Sequence, residues 1–143
     1  MSSSKKLVLD ANILLRAVFG SRVRDLLACH QETIEFYTPD LCVTEELRHI
    51  PSIARHRLLD PEKTEDDLRR ILRLCVIVVD QSLYEEFEDW ARLRISRRDP
   101  NDWPVVATAM LLNAPIWTED QDFFGIGIAT WTSDKIEIYL RDA

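Results

Sequence analysis

The sequence predicts an α/β fold: a single three-layer α/β/α domain with a mostly parallel sheet of about five strands. Short apolar runs alternate with segments whose apolar residues recur at helical spacing, which is typical of a parallel sheet with helices on both faces. A segment that follows Asp102 is apolar on nearly every side, so it belongs in the middle of a domain. The chain of 143 residues is about one domain long, so the prediction covers residues 1–143.

Five segments are predicted to form the strands. Residues 5–9 and 75–79 are short apolar runs of the kind that buried parallel strands contain. Residues 33–38 alternate and are rich in residues that favour strands. Residues 115–118 are the fourth predicted strand, and residues 128–131 are a weaker fifth.

The segments between the strands are predicted to be helical, because their apolar residues recur every three or four positions. The predicted helices cover residues 11–19, 21–30, 39–50, a short stretch from Pro51, a stretch capped by Thr64, residues 82–96, the stretch after Asp102, and a last helix capped by Ser133. In the helix over 82–96, we expect Leu83, Phe87, Trp90, Ala91 and Ile95 to face the core.

The composition restricts the classes of function. No apolar run approaches the roughly 20 residues that a membrane-spanning helix needs, so we expect no membrane partner. The first residues lack an apolar signal core, so we expect a cytoplasmic protein. The formal net charge is −7, which opposes passive nucleic-acid binding. A nucleic-acid substrate would therefore need a metal ion and a local basic patch.

Acidic residues come where predicted strands end, which is where ligands bind in an open α/β sheet. Asp10 ends the first strand, and Glu119, Asp120 and Asp122 follow the fourth. Asp102 lies at the start of the apolar helix and points along its buried side. These acids can therefore converge on one edge of the sheet.

Carboxylates held close together repel one another, and a divalent cation removes that conflict. Oxygen ligands suit Mg²⁺ or Mn²⁺, and the three cysteines include no CxxC pair that would favour zinc. On the helix after the second strand, Glu46 is the better ligand candidate because it lies between Val43 and Ile50 on the apolar side. Glu45 aligns with His49 on a more polar side, and the choice between the two stays open.

Each acid also has a purely structural interpretation. Asp10 could be the N-cap of the helix that follows it, and Asp102 could be a second capping residue beside Asp99. Asp120 and Asp122 could be turn residues, the usual role of Asp after a strand. One such placement is a weak signal, whereas four coordinated placements favour a site.

Four pieces of the chain resemble, in order, the four motifs of the PIN-domain (PilT N-terminal) family. They are LVLDANIL at 7–14, VTEEL at 43–47, DPNDWPVVATA at 99–109 and IWTEDQDF at 116–123. The resemblance implies a small α/β/α fold and a metal-dependent endoribonuclease, a hydrolase that acts on RNA. Many members are VapC-type toxins of toxin–antitoxin pairs, which implies an antitoxin protein as partner and a homodimer.

The resemblance also implies roles for individual residues. The catalytic acids it indicates are Asp10, Glu46, Asp102 and Asp120. The metal, Mg²⁺ or Mn²⁺, would be held by Asp10, Asp102 and Asp120, with Asp122 as a further acid or the true fourth. Glu46 would reach the metal directly or through water.

Polar and basic residues complete the predicted site. Asn12 and Thr118 match the family's polar positions, where they would hold a ligand carboxylate or a water in place. Arg94, Arg97 and Arg98 come immediately before the acidic helix start and are expected to bind the substrate backbone.

Two alternatives accompany this prediction. Arg16, Arg22 and Arg24 form a second candidate basic patch, although both arginine groups could be ordinary charged helix faces. The rival function is a catalytically inactive PIN-like fold that acts as a protein or RNA binding module, because fold does not imply function. The presence of all four acids favours the enzyme. A phosphatase of the haloacid-dehalogenase type would need an acid where Asn12 stands.

Overall fold

The computed structural model describes residues 5–96 and 98–141. Within these residues, five strands form one sheet in the order β3-β2-β1-β4-β5, and every pairing is parallel. The strands are β1 (Lys5–Leu9), β2 (Ile34–Pro39), β3 (Val76–Val79), β4 (Ile116–Trp117) and β5 (Thr130–Trp131). The predicted α/β class with a largely parallel sheet is confirmed.

The helices lie in two groups around this sheet. The α-helices of the described residues are α1 (Ala11–Phe19), α2 (Arg22–His30), α3 (Asp40–His56), α4 (Pro61–Cys75), α5 (Gln81–Tyr84), α6 (Glu88–Arg94), α7 (Trp103–Leu112) and α8 (Ile136–Arg141). Helix α1 contacts α2, α3 and α4, and α4 also contacts α2 and α3. Helices α5 and α6 contact α7. In residues 5–96 and 98–141, none of these helices combines the length and the apolar composition that crossing a membrane demands.

The central strand β1 and the helix α7 form the middle of the domain. Leu7, Val8 and Leu9 are completely buried, and β1 pairs with β2 on one side and with β4 on the other. Every residue of α7 from Trp103 to Ala109 is buried, as the uniformly apolar sequence predicts. Because the core surrounds α7, the polar turn before it is held at a fixed place on the sheet edge.

The prediction of two helices around Pro51 is wrong, because α3 continues through this proline. Ile50 and Ala54 are four residues apart, and both are fully buried. The buried face therefore continues across Pro51, and its packing outweighs the hydrogen bond that a helix-interior proline loses.

Helix α4 begins one turn earlier than expected. Asp60, not Thr64, is the N-cap, and its carboxylate accepts a hydrogen bond from Glu62 N at 3.0 Å. Pro61 occupies the first helical position, where its missing N–H costs nothing. The Thr64 hydroxyl instead donates to Asp60 O at 2.8 Å inside the first turn.

The predicted helix over 82–96 is interrupted. A 3₁₀ turn (Glu85–Phe87) separates α5 from α6 and shifts the helical period between them. Leu83 and Trp90, expected in the core, are therefore 57% and 64% exposed. Tyr84 is buried instead, and its hydroxyl donates to Asp40 Oδ1 at 2.6 Å. Ala91 faces the core as expected.

Ser133 does not cap the last helix, which begins at Ile136. Its hydroxyl oxygen accepts a hydrogen bond from Trp117 Nε1 at 3.1 Å, and its backbone N–H donates to Glu119 Oε1 at 2.7 Å. Ser133 thus joins the segment after β5 to the end of β4. The fifth strand is also shorter than expected, since β5 covers only Thr130–Trp131.

We expect Pro51→Ala to raise the free energy of unfolding by about 2–2.6 kcal/mol. A proline inside a helix costs about 3 kcal/mol, and its restriction of the unfolded chain returns about 0.4–1 kcal/mol. Urea denaturation followed by circular dichroism measures the change. Ser52→Ala, at the exposed neighbouring position, is the control for helix propensity. A loss of stability in Pro51→Ala would contradict the prediction.

Candidate metal centre

Asp10 stands at the end of β1 and begins α1. Its side chain is almost fully buried, and Oδ1 accepts a hydrogen bond from Ala11 N at 2.7 Å. The other oxygen, Oδ2, accepts from Asn12 Nδ2 at 2.9 Å and from Thr118 Oγ1 at 2.7 Å. The carboxylate therefore caps α1 and also binds Thr118, which directly follows the neighbouring strand β4.

Asn12 and Thr118 connect Asp10 to the acidic segment after β4. Thr118 Oγ1 accepts a hydrogen bond from Asp120 N at 2.9 Å, in addition to donating to Asp10. Asn12 Oδ1 accepts from Glu119 N at 3.2 Å. The two polar residues singled out in the sequence thus fix the segment that carries Asp120 relative to Asp10.

Asp102 lies at the end of a 3₁₀ turn (Pro100–Asp102), directly before α7. Asp99 performs the capping of this turn, because its Oδ1 accepts from Asn101 N at 3.0 Å. The carboxylate of Asp102 instead lines a cavity of about 330 Å³ together with Asp10. The capping and site interpretations therefore belong to different aspartates.

Asp120 and Asp122 complete a cluster with Asp102. Asp120 begins a 3₁₀ turn (Gln121–Phe123) and accepts a hydrogen bond from Asp122 N at 2.9 Å, so the turn interpretation describes its local role. One carboxylate oxygen of each of Asp102, Asp120 and Asp122 lies within 4.8 Å of the others. Acids from two distant parts of the chain thus converge, and Asp10 lies beside them.

Glu45 and Glu46 both belong to this region, in different positions. Glu45 is exposed and lines the cavity with Asp10 and Asp102. Glu46 is 4% exposed, and its Oε2 is buried without a hydrogen-bond partner among the described residues. A buried carboxylate oxygen with no protein donor is costly, so a ligand outside the protein is expected to satisfy it.

The surroundings of three carboxyl groups in the site disfavour their ionised forms. Burial, together with neighbouring carboxylates, raises the pKa of Asp102 to about 7 and that of Glu46 to about 8. Burial also raises the pKa of Asp10 to about 6, although hydrogen bonds from Thr118 and Ala11 act in the opposite direction. Three carboxyl groups therefore resist ionisation in the absence of a counter-charge.

These residues fit a divalent cation. All the candidate ligand atoms are carboxylate oxygens, the donors that hard cations such as Mg²⁺ and Mn²⁺ prefer. A cation would offset the repulsion that raises the pKa of Asp102. It would also give the buried carboxylate of Glu46 a positive charge to face, directly or through a water.

Arg98 holds the loop that carries two of the acids. Its Nη1 donates to carbonyl oxygens of the segment after Asp120, namely those of Gln121 at 3.2 Å, Asp122 at 2.6 Å, and Phe124. Arg98 itself comes just before Asp99 and the acidic turn. It therefore links the segment of Asp102 to the segment of Asp120, a role that its place in an arginine run did not indicate.

Arg94 contacts the same loop further along. Its Nη1 donates to Ile126 O at 2.9 Å, and Gly127, with φ +87°, passes close to the guanidinium. A Cβ at Gly127 would collide with Arg94 Nη1. The two glycines around Ile126 were the only sequence signal for this close approach. Arg97 lies outside the described residues.

We expect Glu46→Gln to stabilise the metal-free protein at pH 8. The pKa of Glu46 is about 8 in the folded state against an ordinary 4.5, so its stabilising contribution is complete below the lower value and is lost as pH rises through the upper one. The variant should gain at least about 1 kcal/mol at pH 8 and lose stability less steeply from pH 5 to pH 8. Denaturation in EDTA measures both effects.

Glu86→Gln is the matched control, because Glu86 is exposed and lies in the turn between α5 and α6. An equal gain in both variants would mean that net charge, and not the burial of Glu46, sets the pH dependence.

We expect Arg98→Ala to weaken Mn²⁺ binding at least about fivefold, because residues that support metal ligands typically change affinity by 10–100-fold. The measurement is the Mn²⁺-dependent rise in Tm, with Arg69→Ala on α4 as the control. RNA affinity in EDTA should change little. The opposite pattern, with weakened RNA binding and unchanged Mn²⁺ binding, would restore the substrate-binding interpretation of Arg98.

Comparison with known proteins identifies the family. The sequence model described as PIN domain matches residues 8–141. No curated protein matches the chain significantly.

Several solved structures share the fold. VapBC2 from Rickettsia felis, bound to a DNA fragment from their promoter, is similar with a TM-score of 0.72 and 14% identity over 89% of this chain and 98% of that chain. PAE2754 from Pyrobaculum aerophilum has a TM-score of 0.72 and 16% identity over 97% and 91%. A toxin-antitoxin complex from Klebsiella pneumoniae has a TM-score of 0.64 and 19% identity over 92% and 98%.

The family match extends over nearly the whole chain, and these folds agree with it. The resemblance that the four sequence motifs indicated is thereby confirmed. The chain belongs to the PIN domain family, whose members are generally nucleases.

Proposed function

We propose that this protein is a metal-dependent endoribonuclease that hydrolyses RNA phosphodiester bonds. The observation that carries the proposal is the convergence of Asp102, Asp120 and Asp122, whose oxygens lie within 4.8 Å of one another beside the buried Asp10. Membership of a family of nucleases supports the reaction class. The proposed ion is Mg²⁺ or Mn²⁺, for which the oxygen ligands are suited.

The proposed ligands are held before any ion arrives. Asp10 is fixed by Asn12 and Thr118, and Asp120 is fixed through its backbone N–H to Thr118. Asp102 is placed by the buried start of α7. Ligands held in this way lose little freedom on binding, which favours affinity and a defined geometry.

The chemistry that a divalent ion supplies at such a site is neutralisation of phosphate charge and a more acidic attacking water. The protonation of Glu46 is coupled to the proposed ion. Because its pKa is about 8, its carboxyl group is largely protonated at neutral pH, and it releases that proton when positive charge arrives. The proposed metal affinity therefore rises with pH.

We further propose that the nuclease is the toxin of a toxin–antitoxin pair, a cytoplasmic protein with an antitoxin partner and a homodimeric assembly. Two similar structures support the pairing by what they contain, namely VapBC2 from Rickettsia felis and the Klebsiella pneumoniae toxin-antitoxin complex. Co-expression of this chain with the proteins encoded beside its gene, followed by purification of any complex, tests this part.

We expect the purified protein to cut single-stranded or structured RNA with Mg²⁺ or Mn²⁺ and not with EDTA. Asp102→Asn should lower the rate about 100-fold or more, beyond the usual effect of a residue that only supports a ligand. Asp99→Asn removes the neighbouring charge and keeps a good capping residue, so its activity should stay within a few-fold of the native protein.

Labelled RNA resolved on denaturing gels gives the rates. Cutting that persists in Asp102→Asn would point to a contaminant or to a different site. If the protein neither cuts RNA nor gains thermal stability from Mn²⁺, the binding-module function replaces the nuclease.

A further inference from the structure

A second cavity, of about 540 Å³, lies between α1, the start of α2 and the end of α3. Three arginines line it: Arg16 from α1, Arg22 from α2 and Arg57 directly after α3. The candidate basic patch of the sequence joined Arg16 and Arg22 with Arg24. In the fold, Arg57 and not Arg24 lines the cavity with them. Apolar side chains, among them Phe19, form the rest of its wall.

The cavity carries positive charge in an acidic protein. Arg22 forms a salt bridge with Glu137 at 3.0 Å and donates to Ser133 O at 3.0 Å, so one of the three charges is offset. Arg57 lies over the ring of Phe19, with Cζ 4.9 Å from the ring centroid. A guanidinium stacked on an aromatic face keeps its N–H edge available for an anion in its plane.

The cavity adjoins the metal centre along α1. Asn12 and Arg16 are four residues apart and share a helix face, so the side that touches Asp10 continues into the cavity. At 1.5 Å per residue, Arg16 lies about 9 Å along the axis from Asp10.

A second connection runs through the end of β4. Ser133 lines the cavity and donates its N–H to Glu119 Oε1, and Glu119 N donates in turn to Asn12 Oδ1. The same hydrogen-bonded segment therefore borders the acids on one side and the arginines on the other.

Two of the three arginines expected to bind substrate are engaged elsewhere, and the third, Arg97, lies outside the described residues. Arg94 and Arg98 direct guanidinium hydrogens to carbonyl oxygens of residues 121–126. A polyanion that approaches a chain of net charge −7 needs positive charge close to the acids. The arginine cavity supplies positive charge about 9 Å along α1 from Asp10.

We propose that this cavity binds backbone phosphates of single-stranded RNA, to one side of the position where the acids act. This inference rests on the proposed nuclease function and names the surface that holds its substrate. Arg16 and Arg57 donate to the phosphate oxygens. Arg22 shapes the floor through Ser133 and Glu137.

The test compares two double variants that remove the same charge from the same region. Arg16→Gln/Arg57→Gln alters the cavity, whereas Arg24→Gln/Arg55→Gln alters exposed arginines on α2 and α3 that lie outside its lining. The probe is a fluorescent 12-nucleotide single-stranded RNA in EDTA, where no metal-dependent cutting occurs. Fluorescence anisotropy gives Kd at several salt concentrations, and circular dichroism checks that both variants are folded.

We expect the cavity variant to raise Kd at least about tenfold and to reduce the slope of log K against log salt by about 1.4, since each lost phosphate contact on a single strand contributes about 0.7. The control should change Kd less than about threefold, as expected if only screened, distant charge is lost. Equal losses in both variants would overturn the inference in favour of general charge attraction. Unchanged affinity in both would overturn it as well and leave the cavity to a protein partner.

This outcome is separate from that of the nuclease test. A protein that never cuts RNA but loses metal-free binding only in the cavity variant would retain the RNA surface and lose the enzyme. A protein that cuts RNA and binds it equally well in every variant would retain the enzyme and lose this surface.

Discussion

The buried carboxylate of Asp10 is the constraint on which the rest of the site depends. A charge in the interior is tolerated only where donors or a cation compensate it. Here the compensation comes from Ala11, Asn12 and Thr118, which belong to the start of α1 and the end of β4. The hydrogen bonds to this one carboxylate therefore align the ends of β1 and β4 and fix where the acids after β4 can lie. The parallel arrangement of β1 and β4 allows these contacts, because the carboxyl ends of parallel strands meet at one edge of the sheet.

A second set of interactions holds the two acidic segments in fixed positions relative to each other. Asp102 and Asp120 belong to segments that are separated by the whole of α7 and β4. Arg98 bridges them by donating to three carbonyls beyond Asp120, and Arg94 extends the same contact to Ile126. The arginines face backbone oxygens, so they position the acids without neutralising them. The charge of the acids is therefore left for the proposed cation to offset.

The sequence predicts the features that depend on local pattern. It does not predict the contacts between residues that are far apart in the chain. The strands and the uniformly buried α7 follow from runs of apolar residues, and the main acids follow from strand ends and one apolar helix. The continuation of α3 through Pro51 depends on burial at Ile50 and Ala54, which helix propensity cannot register. Likewise, a 3₁₀ turn before α6 exposes Trp90, although helical spacing places it inside. The contacts of Arg98 and the place of Arg57 cross tens of residues, so spacing holds no signal for them.

The turn before α7 assigns helix capping to Asp99 and the cluster to Asp102, three residues apart. This separation has an evolutionary consequence. A lineage can replace Asp102 and still begin α7 in the same way. The replacement removes a carboxyl group whose pKa is raised to about 7 by burial and by neighbouring carboxylates. Replacement of the proposed catalytic acid therefore relieves an unfavourable charge and carries no penalty in helix capping. Stability alone does not keep Asp102 in place, so its retention depends on selection for the proposed activity.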